Sequence, residues 1–214
     1  MTEKSIDNKI YWNKVYKEIG NVKPVYDLWL DKYKEILDKG RDVGIIDLGC
    51  GSGNDSIYLE ERDYSVISCD YSKEALNIVS RHIKNSDLVE MDMTERLPFE
   101  SDSAEVIIAD LSLHYFDNMT TKSVLNEIKR VLKSRGYLIA RVNSVNDINY
   151  NAGCGEEIER HFYLTKDGFK RFFDEDDIRK YFGVFNIQSM KETVMKRYGA
   201  EKRCFEVVCM NDKQ

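Results

Sequence analysis

Gly49, Gly51 and Gly53 alternate directly after Asp47, and their type and spacing speak most plainly of chemistry. Glycine at such a turn accepts positive φ and lets a ligand approach the backbone N–H groups. Asp47, inside the strand end, can shape the loop or meet a cationic ligand group. Asp70 follows Gly49 by about 20 residues, the separation at which a βαβ nucleotide site brings a carboxylate to ribose hydroxyls. Asp70 also stands where a helix N-terminus favours negative charge, since Ser72 and Glu74 open the next helix. Tyr71 can lie along the ribose or adenine. Asp92 can accept from the adenine exocyclic amine while Met93 packs on the ring; the pair also reads as plain surface and core. His114 titrates in the range useful for taking a proton from a substrate, or serves as a structural hydrogen-bonding group.

These groups need strands to carry them to one rim. Val43, Ile45 and Ile46 predict a short buried strand, and Asn54 to Leu59 the first turns of a helix. Tyr64 to Cys69 reads as a second strand, Ser72 to Lys84 as a helix, Asp87 to Met91 as a third strand, and Ala104 to Asp110 as a strongly apolar fourth. Met119 to Leu132 predicts a helix and Tyr137 to Val142 a fifth strand. In open α/β sheets ligands gather at the carboxyl ends of strands, which is where Asp47, Asp70, Asp92 and Asp110 fall. A dinucleotide fingerprint asks for Gly-x-Gly-x-x-Gly, and Asn54 stands where the third glycine belongs. A nicotinamide-dependent oxidoreductase on the same sheet is therefore the weaker alternative.

The run Ile45-Ile46-Asp47-Leu48-Gly49-Cys50-Gly51-Ser52-Gly53 resembles the first motif of the class I S-adenosylmethionine (SAM)-dependent methyltransferases. Leu97-Pro98-Phe99, a polar turn, then Glu105-Val106-Ile107 is similar to a signature common in that family, although Ala104 replaces its usual aromatic residue. Ser112-Leu113-His114-Tyr115-Phe116 resembles the corresponding loop of its small-molecule enzymes, and the run Glu127 to Gly136 resembles its scaffold. The resemblance spans Tyr11 to Val208. It implies an α/β, Rossmann-like fold: a seven-stranded, mostly parallel sheet with an antiparallel last strand and helices on both faces. It further implies SAM as cofactor, with S-adenosylhomocysteine as product. Asp47, Gly49, Cys50, Gly51, Gly53, Asp70, Tyr71, Asp92, Met93, Asp110, Leu111 and Ser112 would hold it, Leu111 and Ser112 through backbone contacts to its methionine part. Tyr11, Trp12 and Tyr16, in a Tyr-Trp-x-x-x-Tyr start shared with many small-molecule methyltransferases, would cover the cofactor, since an aromatic face attracts a sulfonium. Simple docking of this aromatic stripe on the domain is the plainer alternative.

The chain has 214 residues, a length that suits one α/β domain with a modest cap. Residues 1–40 are expected to form a helical cap, with Pro24 opening a second helix to about Lys39, and 41–142 the cofactor-binding core. Residues 143–173 then make a substrate lid, and 174–214 a helix capped by Asp174 and a strand pair. A net charge of −6 argues against a grip on nucleic acid through phosphates. Five scattered cysteines with no Cys-x-x-Cys pair fit a reduced, cytoplasmic compartment, and no apolar run approaches a membrane span. No metal-ligand spacing stands out around His161 and its neighbouring glutamates.

Substrate choice is expected beyond the fifth strand. Val145 to Thr165 reads as a long polar loop, a class that in compact domains is usually functional or disordered. His114, Tyr115, Arg141, Arg160, His161 and Tyr163 suit a polar or anionic acceptor, whereas Glu156, Glu157 and Glu159 could simply neutralise Arg160. The segment from Asn143 to Phe173 resembles tellurite-resistance and thiopurine-type methyltransferases. The expected function is methyl transfer from SAM to a small-molecule or metalloid or chalcogen oxyanion acceptor, by a monomer or homodimer. A SAM-binding regulator without acceptor chemistry is the non-enzyme alternative.

Overall fold

The computed structural model of the chain describes residues 3–196 and 199–213, with side chains from Lys9 onward. An N-terminal helix α1 (Glu3–Ile19) is followed by an extended stretch and three short helical pieces: a 3₁₀ turn over Leu28–Tyr33, α2 (Lys34–Leu37), and a second 3₁₀ turn over Asp38–Gly40. The expected helix from Pro24 to Lys39 is thus broken. Asp27 stays extended at φ −98° and ψ 160°, and its carboxylate turns inward to an arginine described below, while Trp29 and Leu30 both bury.

The core then alternates: β1 (Ile45–Leu48), α3 (Asn54–Glu60), β2 (Val66–Asp70), α4 (Lys73–His82), β3 (Ser86–Glu90), β4 (Ala104–Asp110), α5 (Asn118–Val131) and β5 (Leu132–Asn143). After β5 come β6 (Glu156–Glu159), β7 (Phe162–Thr165), β8 (Gly168–Arg171), α6 (Glu175–Phe182), β9 (Asn186–Met195) and β10 (Lys202–Met210). Seven strands make one sheet in the order β3-β2-β1-β4-β5-β10-β9. The first five are parallel, and β10 runs antiparallel between β5 and β9.

Both faces of this sheet are covered, and alternation along each strand explains how. Ile46, Ile107 and Leu138 pack with Val124, Leu125 and Ile128 of α5 and Ile178 and Phe182 of α6. Their neighbours Ile45, Ile108 and Ile139 face the other way, against Trp29, Leu30 and Leu37 and against Tyr58 and Leu59 of α3. Parallel strands buried on two faces read as continuous apolar runs, as β1 and β4 do. The strand tips carrying Asp47, Asp70 and Asp110 are thereby held on one rim.

Residues 145–165 are not the long loop expected from their polarity. They contain a 3₁₀ turn over Ile148–Tyr150 and then β6 and β7, which join β8 in a separate three-stranded antiparallel sheet. Phe162 stacks on Phe169 at 5.3 Å, and Gly168, at φ 100°, closes the turn between β7 and β8. The small sheet is tied to the core by backbone bonds from Arg171 N to His114 O, 2.7 Å, and from Phe173 N to Asn143 O, 2.8 Å. Asp174 caps α6 with a reciprocal capping box to Asp177, as its position implied.

Candidate active site

A cleft of about 1090 Å³ opens over the carboxyl ends of β1, β2, β4 and β5, between α1 and the small sheet. Its floor is the turn after β1. Gly49 has φ 77°, and a Cβ placed on it would collide with the Ser112 side chain; a Cβ on Gly51, at φ 54°, would meet the Tyr16 hydroxyl at 2.7 Å. Only glycine leaves this floor open. Ser112 locks its loop to the same turn through Oγ donating to Leu48 O, 2.7 Å.

Carboxylates line this end. Asp47 is buried and accepts from Ser56 Oγ at 2.6 Å, which in turn touches Ser68 Oγ at 2.8 Å. Asp70 accepts from Gly51 N (2.9 Å) and Ser72 N (2.8 Å), so it braces the glycine turn and the start of α4 together while still facing the cleft. Burial pushes its carboxyl up to about 6, against the pull of these backbone donors. Asp92 accepts from both the backbone and the hydroxyl of Thr94, 2.9 and 2.7 Å, forming a turn that presents Met93 toward the glycine floor. Cys50 lines the cleft as a neutral thiol, its pKa pushed well up by burial and by Asp47 and Asp70. Tyr71, Asp110, Leu111, Ser112 and Tyr115 also face the cleft.

Leu111 sits at φ 54°, a left-handed conformation that costs a non-glycine residue about 1 kcal/mol or more. Its N–H bonds Arg141 O at 2.9 Å, which holds the strained turn at the tip of β4. Above the floor, Trp12 of α1 stacks on Tyr16 at 5.6 Å and meets Tyr115 edge-on at 5.9 Å, and all three rings line the cleft.

His114 faces the far end, 4 % exposed, and its Nδ1 is buried with no protein partner. Burial, then Lys202 and Lys170, hold its pKa well below the ordinary histidine range, so the ring is neutral at pH 7. Around it lie groups that the sequence reading passed over as site residues. Asn143, at the end of β5, is 2 % exposed with an unpartnered Oδ1. Lys202 is buried against Asp147 (2.7 Å) with its ammonium over the Tyr150 ring at 4.6 Å, and Lys170 comes from β8.

Six expected site residues lie off the cleft. Tyr11 stands behind Trp12, edge-on at 5.3 Å and half exposed. Gly53 sits where α3 meets α4, against Val79. Arg141, expected to meet an acceptor, is 1 % exposed and fully engaged. It grips Asp110 through Nε and Nη2 (2.6 and 2.7 Å) and Asp27 through Nη1 and Nη2 (2.7 and 3.2 Å), with its guanidinium over the Trp29 ring at 4.2 Å. Burial works against its charge, and the two carboxylates more than reverse this, so its pKa is raised. Arg160 pairs with Asp174 at the surface, 2.6 Å, and His161 Nδ1 bonds Asp177 Oδ2, 2.6 Å. Tyr163 lies edge-on to Phe172. Among the described residues, His161, Asp174 and Asp177 form the one grouping close enough for a metal, and these atoms already serve the cap of α6.

The comparisons agree with this geometry. Residues 46–140 match the family described as "Methyltransferase domain". YqeM of Bacillus subtilis, itself assigned only provisionally as a methyltransferase, is 34 % identical over 137 residues, 61 % of this chain and 53 % of that protein. The tRNA N(3)-methylcytidine methyltransferase Mettl2 of Drosophila melanogaster is 28 % identical over 166 residues, 72 % of this chain and 51 % of that protein. The chain thus spans about half the length of these curated relatives. The crystal structure of 1,6-didemethyltoxoflavin-N1-methyltransferase from Burkholderia thailandensis, with 1,6-didemethyltoxoflavin and S-adenosylhomocysteine bound, superposes with a TM-score of 0.62 at 17 % identity, covering 86 % of this chain and 87 % of that one. Sheet order and family match converge: residues 46–140 match the methyltransferase-domain family, and the chain has the class I SAM-dependent methyltransferase fold, whose cofactor is S-adenosylmethionine.

Proposed function

We propose that the chain binds SAM in this cleft and methylates a small-molecule acceptor that enters beside the small sheet formed by β6, β7 and β8. The observation that carries this reading is the floor at Gly49 and Gly51, where a Cβ would fill the space, set beside the cleft-facing carboxylates of Asp70 and Asp92. When bound, SAM supplies a methyl group already activated on a sulfonium sulfur, so the protein's task is placement and exclusion of water. Asp70 suits a ribose diol, Asp92 and Met93 the adenine, and Trp12, Tyr16 and Tyr115 a cation laid against their faces. Asp47 adds negative charge at the same end, while the charge of Asp110 is countered by Arg141.

His114 is the group suited to take a hydrogen bond from the acceptor's nucleophile. Its ring is neutral at pH 7, and Nδ1 is free to accept from the acceptor's nucleophile. The net charge of −6 and the size of the cleft favour a small acceptor over a phosphate-rich one, although one relative is named for its action on tRNA.

The test is S-adenosylhomocysteine release from labelled SAM against a panel of small acids, amines and thiols, with bulk tRNA as a further acceptor. Release on a small acceptor, cut by about 10²-fold or more in His114→Gln, is expected. Turnover on tRNA alone would overturn the reading.

A further inference from the structure

The two ends of the cleft differ in charge and in what they leave unsatisfied. The end over β1 and β2 is acidic. At the other end, Lys170 and Lys202 approach from β8 and β10, close enough to each other and to His114 that each lysine disfavours a proton on the imidazole. Lys202, which lines the cleft, spends one N–H on Asp147, whose Oδ1 is already taken by Arg203 N at 2.9 Å, and its ammonium lies over the Tyr150 ring at 4.6 Å, so two of its three donors make no hydrogen bond to a carboxylate. Lys170 has its carboxylate neighbour Asp167 at 3.7 Å, beyond hydrogen-bond distance. His114 and Asn143 line the same space, and each holds a buried acceptor-capable atom, Nδ1 and Oδ1, that finds no protein donor. Buried polar atoms left this way cost about 1–3 kcal/mol each, a cost that a bound donor removes. Phe162 and Phe169, stacked on each other, supply an apolar wall alongside.

We propose that the acceptor is a small organic anion carrying an O–H or N–H nucleophile. Its carboxylate or phosphate pairs with Lys170 and Lys202, its apolar body lies against Phe162 and Phe169, and its protic group donates toward His114 Nδ1 or Asn143 Oδ1. This specificity rests on the methyl-transfer reading and deepens it. It also replaces the surface residues Arg160 and His161, as the cations that select an acceptor, with two lysines that face the cleft. An uncharged analogue would bring no charge to the lysines, and a metalloid oxyanion would bring no apolar body to lie against Phe169.

The experiment titrates protein saturated with S-adenosylhomocysteine with 4-hydroxybenzoate, 4-aminobenzoate and phenyl phosphate, and with methyl 4-hydroxybenzoate as the uncharged counterpart. At least one anion is expected to bind about tenfold or more tightly than the ester, the scale of one charge-assisted hydrogen bond. Lys202→Gln and Lys170→Gln should each erase most of that preference while leaving S-adenosylhomocysteine affinity unchanged. Because Lys202→Gln strands a buried Asp147, Lys170→Gln, at a partly exposed position, carries the test if the first variant does not fold. The proposal is overturned if the ester binds as tightly as the acids, if none of the three anions binds, or if the preference survives Lys170→Gln. Failure of S-adenosylhomocysteine itself to bind would instead bring down the methyl-transfer reading beneath it.

Discussion

Ser112 and Gly49 sit so close that a single methyl group on the glycine would drive into the serine side chain. The contact joins the tip of β1 to the loop after β4, and the Ser112 hydroxyl reinforces it by donating to Leu48 O. Gly49→Ala must both adopt φ 77° and displace Ser112. Affinity for S-adenosylhomocysteine should fall about tenfold or more, from a stability loss of about 1–3 kcal/mol concentrated at the cleft. Calorimetric titration alongside a melting curve checks both; unchanged affinity would show that the floor is not where the cofactor lies.

Asp70 sets a pH dependence. Its folded carboxyl titrates at about 6, above the ordinary aspartate value of 3.8. Between those two values the folded state holds more protons than the unfolded one, so the contribution of Asp70 to stability declines as pH rises from about 4 to 6 and is level above that. Ligand binding runs the other way, because ribose hydroxyls donate to the charged form. Affinity for S-adenosylhomocysteine should therefore weaken as pH falls through about 6, and in Asp70→Asn it should be lower throughout and flat across that range.

Arg141 and its two carboxylates form a buried triad in which each member depends on the others. Arg141→Met leaves Asp110, and in part Asp27, desolvated without a counter-charge, a loss of about 3–5 kcal/mol. Arg141→Lys cannot fork across both acids and should recover only part of it. Melting temperatures and urea midpoints measure this. An arginine that met the acceptor would instead change acceptor affinity and spare stability.

Arg171 fastens the small sheet. Its guanidinium donates to Phe116 O, Arg160 O and Glu159 Oε2 (3.1, 3.1 and 2.6 Å) and lies between the Phe162 and Tyr181 rings. Arg171→Leu should free residues 156–171 before the rest of the protein unfolds, with hydrogen exchange there faster by about tenfold or more and β1 to β5 little changed. Uniform protection loss across the chain would contradict a local role.

The legible parts of this site lie close together along the chain. Asp47, the glycines and Asp70 are joined by one strand-turn-helix-strand unit whose dimensions fix their spacing, so residue type and interval suffice. Arg141 misled because its partners, Asp27 and Asp110, are 114 and 31 residues away; an arginine ending a strand looks free until the packing supplies them. Lys170, Lys202 and Asn143 could not be picked out, since each reads as an ordinary strand residue and only the meeting of β8, β10 and β5 brings them together. The small sheet did leave a signal. Asp167-Gly168, between the apolar alternation of Phe162 and Leu164 and that of Phe169, marks a hairpin, and the surrounding charge masked it.

In this reading the glycine floor and its flanking carboxylates hold S-adenosylmethionine. Calorimetric titration of the purified chain with S-adenosylhomocysteine, and separately with NAD, tests it most directly. Saturable one-to-one heat is expected with the first compound, abolished or much weakened in Gly49→Ala, and none with the second. Saturable binding of NAD with no response to S-adenosylhomocysteine would contradict it.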